Sequence, residues 1–222
     1  LDLIAYYFPE CEGINMDATV TSILHKSQEE LEMLARKKVK HLYLGIESGL
    51  DDVLKFMKKD HDLAQAYQAI DRLHEAGLIY DAHIMTGVAG KGRGMENAEA
   101  LAQFLNRTNP AHVVNFSMFL HKEVPLYQDI RQGTFVPADE LETIREEYHL
   151  IERIAPEKAG ANILYDGFHD FIHVRVRGHL PGDKEKMLAK LNGIIQEYEG
   201  KEPVYSFVQG ECPDLEYCDD GK

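Results

Sequence analysis

The sequence has few cysteines, no excess of basic residues and no long apolar run. Its three cysteines, Cys11, Cys212 and Cys218, are odd in number and widely spaced, which argues against a disulfide framework and favours a reducing, cytoplasmic environment. Lys and Arg total 24 against 38 Asp and Glu, so the net charge is −14. Nucleic-acid binding needs a basic stripe, so no nucleic-acid partner is expected. No segment approaches the roughly 20 apolar residues of a membrane helix, so no membrane partner is expected.

Strand-like and helix-like segments alternate along the 222 residues, a length that suits one large domain. This alternation predicts an α/β fold with a mainly parallel sheet, either doubly wound or a (β/α) barrel. Apolar runs predict strands over residues 3–8, 18–23, 41–47, 80–88, 113–120 and 171–176. Caps and apolar stripes predict helices after Ser27, after Ser48, over 63–76, 96–106 and 138–154, and from Pro181. The acidic tail after residue 199 is predicted to be extended.

The faces of four predicted strands indicate a polar cavity. Because side chains alternate across a strand, Leu42, Leu44 and Ile46 should pack under helices. The opposite faces are small or polar, and a buried polar group costs free energy unless it meets water, a ligand or another polar group. A ligand site is the favoured interpretation, and mutual hydrogen bonding is the alternative. The predicted wall of the cavity consists of Glu47, His83, Asn115, Ser117 and His121.

Two segments lie where strands run into helices, the end at which parallel α/β proteins bind ligands. In LGIESG, residues 44–49, the carboxylate of Glu47 is suited to accept hydrogen bonds from an amine or a ribose, and pairing with a basic side chain is the alternative. The loop GVAGKGRG, residues 87–94, has glycines that let backbone approach a ligand, ahead of a helix N-terminus that favours anions. The loop lacks the residue order of a P-loop, and a flexible linker is its alternative interpretation.

The remaining histidines and carboxylates have no metal-like spacing, so no metal site is predicted. The histidines at positions 61, 74, 149 and 169 are interpreted as surface or packing residues. The acidic positions of the helix over 138–154 are interpreted as its solvated face; they are Asp139, Glu140, Glu142, Glu146 and Glu147.

Four segments together resemble a known family. They are LYLGIESGLDDVLKFMKKDH, AIDRLHEAGL, HIMTGVAGKGRG and HVVNFSMF. In this order they look like the later half of a radical S-adenosylmethionine (SAM) domain. They are most similar to the branch that contains oxygen-independent coproporphyrinogen oxidase. The matching region runs from about residue 18 to residue 126, roughly half of the chain.

The resemblance implies a fold, an activity and cofactors. The implied fold is a partial (β/α) barrel, made of the later strands of a TIM-like barrel with a C-terminal α/β extension. The implied cofactors are SAM and a [4Fe–4S] cluster. The implied activity is that of an oxidoreductase, which cleaves SAM reductively to abstract hydrogen from a small-molecule or still unknown substrate. A reductant such as flavodoxin or ferredoxin is the implied partner.

The resemblance also assigns residues by position. Glu47 matches an acidic or amide residue that contacts SAM, and Lys59 falls near the cofactor carboxylate. His83 falls at the position that faces the ribose, where relatives often carry a carboxylate. The other matches are Gly87 and Gly90 at the end of one strand, and Asn115 and Ser117 beside adenine and substrate. His121, from the strand pattern, is a further candidate substrate contact, and Arg175 and Arg177 in the C-terminal extension are candidates to contact an anionic substrate. A solvated strand face is the alternative for the two arginines.

The chain departs from the family at the iron–sulfur cluster. Relatives hold the cluster with three cysteines in a CxxxCxxC loop, and this sequence has no such triplet. We therefore expect a fragment of a radical enzyme that is inactive by itself and binds no cofactor alone. Its expected parts are the later barrel over residues 1–136, a C-terminal extension over 137–199 that adds a strand and a helix, and an acidic tail over 200–222. An open barrel edge is expected to promote self-association.

Two other functions are compatible with the sequence. A non-redox (β/α) barrel enzyme, of aldolase or isomerase type, would use Glu47 and His83 as acid and base. A non-catalytic binding module descended from such a barrel would need neither SAM nor a cluster.

Overall fold

The computed structural model describes residues 1–208, which contain one β-sheet with α-helices packed on one of its faces. The strands are β1 (Ile14–Ala18), β2 (Val39–Glu47), β3 (Ile79–Thr86), β4 (His112–Ser117), β5 (Ile163–His169) and β6 (Val174–Leu180). The helices are α1 (Asp2–Tyr7), α2 (Val20–Leu24), α3 (Gln28–Arg36), α4 (Asp51–Phe56), α5 (Leu63–Glu75), α6 (Gly94–Thr108), α7 (Leu126–Gln132), α8 (Glu140–Arg153) and α9 (Lys184–Tyr198).

The order of the strands in space follows their order in the sequence, from β1 to β6. Neighbours from β1 to β5 are parallel, and β6 is antiparallel to β5. Because crossovers between parallel strands are right-handed, an order without reversal places the connecting helices on one face of the sheet. This is the winding of a barrel, and a doubly wound sheet would reverse its order. The prediction of a partial (β/α) barrel is confirmed.

The helix-bearing face of the sheet holds the main apolar core. Leu42, Leu44 and Ile46 are at most 2% exposed, as the alternation predicted. Burying each such side chain stabilises the fold by about 1.5–3 kcal/mol. Helices α5 and α6 cover these strands with their own apolar stripes, which include Ile70, Leu73, Leu101 and Leu105.

Capping residues set the ends of the predicted helices. At the start of α3, Ser27 Oγ accepts a hydrogen bond from the amide of Glu30, and the Glu30 carboxylate accepts one from the amide of Ser27. This is the capping box that the sequence predicted. After α5, Gly77 takes a φ of +75°, which ends the helix at the predicted glycine.

The first 24 residues differ from the prediction. Residues 3–8 form helix α1, which has no buried residue, and residues 18–23 largely form α2. Strand β1 lies between them and pairs with β2. The predicted strand over 18–23 is wrong because Thr19 and Ser22 form a reciprocal capping box that satisfies backbone donors in a helical turn.

Three further boundaries differ from the prediction. Strand β5 was missed, and β6 begins after a 3₁₀ turn over Asp170–Ile172, so the predicted strand over 171–176 is displaced. The last helix begins at Lys184, after Pro181. Ser48 is not the N-cap of α4, a position that Leu50 occupies; the Ser48 hydroxyl accepts from the amide of Leu50 at 3.1 Å and donates to Asn97 Oδ1 at 2.7 Å.

Residues 202–208 run beside the carboxyl end of β4. Their backbone bonds to Leu120, which donates to Ser206 O at 2.8 Å and accepts from the amide of Val208 at 3.0 Å. The rest of the acidic tail, with Cys212 and Cys218, lies outside the described residues. The sheet continues through β5 and β6, so the boundary proposed at residue 136 divides one sheet and stays a prediction. Between residues 1 and 208, every helix is too short or too polar to cross a bilayer.

Candidate active site

The face of the sheet opposite the helices is open. We call it the open face. Along each strand its side chains alternate with those that face the helices. Tyr43 and Glu47 of β2 lie there, with His83 and Met85 of β3 and Phe116 of β4. In a barrel this face lines the interior, and ligands bind at the carboxyl ends of the strands.

A cavity of about 360 Å³ lies at the carboxyl ends of β2 and β3. That volume falls within the range of small-molecule sites, roughly 300–1,000 Å³. Glu47 and Lys59 form an ion pair in its wall, with Nζ and Oε1 3.2 Å apart. The rest of the wall is largely apolar and includes Met57, Met85, Val88, Met118, Phe119, Leu120 and Leu126. Lys58 and Asp129 add two further charged side chains to this lining. An ion pair beside a largely apolar surface is the pattern expected for a ligand with a charged end.

The carboxylate of Glu47 folds back over its own strand. Glu47 has a φ of +62°, and the pairing of β2 with β3 shifts register between Gly45 and Glu47. A Cβ at Gly45 would lie 2.7 Å from Glu47 Oε1. The missing side chain of Gly45 therefore leaves the space that the carboxylate occupies beside Lys59.

We expect Gly45→Ala to displace the Glu47 carboxylate from Lys59. The free energy of unfolding should fall by less than about 1 kcal/mol, because only the end of a flexible side chain must move. Gly13→Ala is the matched control, since its Cβ would also meet a flexible side chain, that of Lys40, at 2.7 Å. Crystallography of both variants, with urea unfolding, checks this result. A Glu47–Lys59 pair that keeps its distance in Gly45→Ala contradicts it.

Asn115 and Ser117 do not lie on the cavity wall, so that prediction is wrong. Both side chains face α8: Asn115 Nδ2 donates to Glu147 Oε1 at 3.1 Å, and Ser117 Oγ donates to Glu140 at 3.3 Å. Their neighbour Phe116 is 36% exposed on the open face. The faces of β4 are reversed because its polar residues meet a polar helix. Their predicted contact with adenine or substrate finds no support in this placement.

The acidic face of α8 is buried rather than solvated. Glu140, Glu146 and Glu147 are at most 1% exposed. His169 lies between two of them, with Nδ1 3.0 Å from Glu140 and Nε2 3.1 Å from Glu147. The interpretation of these carboxylates as a solvated face, and of His169 as ordinary packing, is wrong. The available signal was the helical spacing of Glu140, Thr143 and Glu147 with the buried residues Ile144 and Ile151.

Burial and pairing shift the pKa values in this network. Burial by itself lowers the pKa of His169, but the charge of Glu147 and the hydrogen bonds to both carboxylates raise it to about 9. Burial alone would raise the pKa of Glu140, but the hydrogen bond and charge of His169 hold it below its usual value. Burial raises the pKa of Glu146 to about 7, against hydrogen bonds from Asn97 and Gly87. The imidazole between the two glutamates is therefore an imidazolium at neutral pH.

The glycine-rich loop is held against α8. The amide of Gly87 donates to Glu146 at 2.9 Å, the amide of Gly92 donates to Glu142, and the amide of Lys91 donates to Val136 O at 2.8 Å. Gly90 donates to Gly87 O at 3.0 Å. These four amides are used within the protein, and the approach of a ligand to this loop and to the N-terminus of α6 stays a prediction. The assignment of Gly87 and Gly90 to cofactor binding stays a prediction.

The other predicted residues are spread over the open face and beside it. The ring of His83 contacts those of Tyr43 and Phe116 and lies outside the cavity wall. His121 follows β4, with its ring 5.7 Å from that of Phe119. Arg175 and Arg177 both pair with Asp166 on β5. The structure thus brings Glu47 and Lys59 together, and it separates them from the two arginines.

A second polar group on the open face was not predicted. Asp81 is fully buried, and its Oδ2 lies 2.6 Å from His41 Nδ1. Tyr43 Oη lies 3.1 Å from His112 Nδ1. Burial raises the pKa of Asp81, against the hydrogen bond from His41. Alternation placed Asp81 on this face, but its contact with His41 on the neighbouring strand was not predicted.

The described part of the chain holds no group of three His, Cys, Asp or Glu residues arranged for a metal ion. Cys11 is the single cysteine within it and is a free thiol. The sequence as a whole contains no CxxxCxxC triplet. The cysteines of this chain therefore do not fit a [4Fe–4S] cluster.

The first part of the chain, which contains strands β1 to β3, matches a known protein family. The family described as the Radical SAM superfamily matches residues 3–105. The match spans slightly less than half of the 222 residues. Members of that superfamily use SAM with a [4Fe–4S] cluster. The radical SAM resemblance stated from the sequence is confirmed, and the branch of coproporphyrinogen oxidase stays a prediction.

Two known proteins are similar to this chain. A curated protein described as "tRNA uridine(34) acetyltransferase" from Methanocaldococcus infernus is 25% identical over 119 residues, 53% of this chain and 22% of that protein. A solved structure, the archaeal Methanocaldococcus infernus Elp3 with N-terminus deletion (1-46), matches with a TM-score of 0.62 and 17% identity. The match covers 84% of this chain and 42% of the Elp3 chain, and it is a similarity of fold. The chain spans less than half the length of either relative.

Proposed function

We propose that this chain is the SAM-binding later part of a radical SAM enzyme barrel. The observation that carries the proposal is the Glu47–Lys59 pair in a cavity at the carboxyl ends of parallel strands. The amino-acid end of SAM is a zwitterion. Glu47 is suited to accept hydrogen bonds from its ammonium group, and Lys59 is suited to donate to its carboxylate.

The apolar wall supports this assignment. Met57, Met85 and Met118 present polarizable side chains to the cavity, which suits a sulfonium and a purine better than a strongly hydrated ligand. When bound beside a reduced cluster, SAM supplies the radical that abstracts hydrogen from a substrate in this superfamily. The role of the chain's own residues is to bind and orient the cofactor and to exclude water from it.

A cluster would need cysteines from outside these 222 residues, because the three that are present lack the required spacing. An oxidoreductase activity, a flavodoxin or ferredoxin reductant and a cytoplasmic location are parts of the proposal. So are a small-molecule substrate and the absence of nucleic-acid and membrane partners. Iron and sulfide analysis of a longer protein containing this chain, with 5′-deoxyadenosine measured under reduction, tests the enzymatic part. Fewer than about four irons and no 5′-deoxyadenosine would refute it.

We expect Glu47→Gln to weaken SAM binding by about ten- to a hundredfold, the value of a hydrogen bond to a charged group. The measurement is a calorimetric titration with SAM of a longer, cluster-loaded protein that contains this chain. Glu32→Gln, which removes an exposed carboxylate on α3, is the control and should leave the affinity unchanged. Equal affinity in Glu47→Gln and in the unmodified chain would remove Glu47 from the site.

Self-association also belongs to the proposal. Strands β1 and β6 are the two edges of the described sheet, and an edge strand offers unpaired backbone groups to another chain. Light scattering at increasing protein concentration measures this association. A single monomeric mass at every concentration would refute it.

A further inference from the structure

A row of aromatic rings crosses the open face from β2 to β5. The centroids of Tyr43 and His83 are 5.2 Å apart, those of His83 and Phe116 are 6.1 Å apart, and those of Phe116 and Phe168 are 5.6 Å apart. The last two rings are nearly parallel, with an interplanar angle of 17°. We call these four side chains the ring row.

The ring row is open where apolar groups are normally covered. Phe116 lies on β4, with β3 and β5 on either side, and yet it is 36% exposed. Tyr43, His83 and Phe168 are half-buried. Both faces of a parallel sheet are usually buried, so aromatic rings left open in its centre mark a binding surface more often than a solvated one.

A pair of arginines lies at the far end of the ring row. The guanidinium of Arg175 lies 4.7 Å from the centroid of Phe168. Asp166 holds it with two hydrogen bonds, of 2.7 and 2.5 Å, and Arg177 lies 3.6 Å from the same carboxylate. One carboxylate thus faces two guanidinium groups, which leaves a net positive charge in a protein whose net charge is −14.

The ring row adjoins the cavity at Phe116. Met85 lines the cavity and is the register partner of Phe116 on the neighbouring strand. A molecule lying on Phe116 and Phe168 would therefore have one end beside the Glu47–Lys59 cavity and the other beside Arg175. Aromatic side chains thus lie between the Glu47–Lys59 ion pair and the two arginines.

We propose that the open face binds a small molecule with a flat conjugated ring system and an anionic group, carboxylate or phosphate. The ring stacks on Phe116 and Phe168, and the anionic group pairs with Arg175 and Arg177. Its role as the substrate rests on the proposed function, because it would lie next to the SAM cavity. Stacking favours a planar ring over a saturated one, and the planar fork of arginine binds both carboxylate and phosphate.

The experiment uses four probes with the 222-residue chain: 2-naphthoate, 2-naphthyl phosphate, 2-naphthalenemethanol and cyclohexanecarboxylate. NMR titration measures each dissociation constant. The two naphthyl anions should bind at least threefold more tightly than the neutral naphthalene and the saturated anion, and their order distinguishes carboxylate from phosphate. Equal affinity for all four probes, or no binding of the naphthyl anions, would overturn the proposal without any variant. Tighter binding of a single-stranded oligonucleotide than of naphthyl phosphate would also overturn it.

Variants locate the two contacts. Phe116→Leu should weaken the binding of both naphthyl anions by about two- to tenfold, whereas Phe8→Leu, at a ring that is 66% exposed on the N-terminal segment, should not change it. Arg177→Gln should weaken the binding of both naphthyl anions and leave the binding of 2-naphthalenemethanol unchanged. Arg36→Gln, on α3, is its control and should change neither. Unchanged binding in Phe116→Leu would overturn the ring row as the site.

The result is separable from the proposed function. Glu47→Gln should reduce SAM affinity and leave naphthoate affinity unchanged. Binding of the naphthyl anions by the chain, without SAM binding by the cluster-loaded longer protein, would keep the ligand class and refute the cofactor assignment. SAM binding by the longer protein, without naphthyl-anion binding by the chain, would keep the cofactor assignment and refute the ligand class.

Discussion

His169→Leu should lower the free energy of unfolding by about 3–5 kcal/mol, the range measured when one partner of a buried ion pair is removed. The imidazolium of His169 lies between Glu140 and Glu147, at 3.0 and 3.1 Å. Both carboxylates are at most 1% exposed. Leucine fills most of the volume but leaves two buried carboxylates without their cation.

The other partners cannot replace the imidazolium. Glu147 Oε1 accepts hydrogen bonds from Tyr165 Oη at 3.0 Å and from Asn115, and Glu140 accepts from Ser117 and Ser206. These neutral donors lower the cost of burying the charges, but they do not neutralise them.

Urea unfolding of His169→Leu and of a control variant measures the effect. His25→Leu, at an exposed histidine that follows α2, is the control and should change stability by less than about 0.5 kcal/mol. Glu147→Gln should cost less in the His169→Leu background than in the unmodified chain, because the charge it removes is already unpaired. A loss below about 1 kcal/mol in His169→Leu, or additive costs in the double variant, would show that the pair contributes little.

Raising the pH from about 6.5 to 9 should lower the free energy of unfolding by about 3 kcal/mol. Glu147 and Glu140 raise the pKa of His169 to about 9, from 6.5 in the unfolded chain. Between these two values the folded state binds more protons than the unfolded state. The stabilisation is therefore fully present below pH 6.5 and is lost as the pH rises through 9.

Other groups titrate mainly outside this window. Burial lowers the pKa values of His74, His112 and His149, so these side chains lose their protons at lower pH. The pKa of Glu146, raised by burial to about 7, makes stability fall mainly between pH 4.5 and 7. Urea unfolding at several pH values measures the slope, and His169→Leu should abolish most of it above pH 7. Equal slopes in variant and parent chain would exclude His169 as the cause.

The sequence predicted the framework of the fold because backbone signals there are local. Ser27 with Glu30 forms the predicted capping box, and the face of Leu42, Leu44 and Ile46 is buried as expected. The predictions were wrong where a local polar contact replaced strand pairing. At Thr19 the hydroxyl caps a helical turn that the apolar pattern of residues 18–23 assigned to a strand.

The site was predicted only in part, because its polar side chains depend on partners far apart in sequence. Glu47 lies in the cavity wall as the strand pattern predicted. Asn115 and Ser117 were assigned to the wrong face, since apolar faces were expected under helices and α8 presents carboxylates there. Neither the polar stripe of α8 nor its match with β4 is visible in the pattern of one segment alone.

A single carboxylate joins the loops of the site to the core. Glu146 accepts hydrogen bonds from the amide of Gly87 and from Asn97 Nδ2, at 2.9 and 2.7 Å, and Asn97 Oδ1 in turn accepts from Ser48 and from the amide of Gly49. Opening of the chain segments that follow β2 and β3 would therefore break hydrogen bonds that lead to α8. As long as these bonds persist, the two segments are fixed walls of the cavity and do not act as a lid.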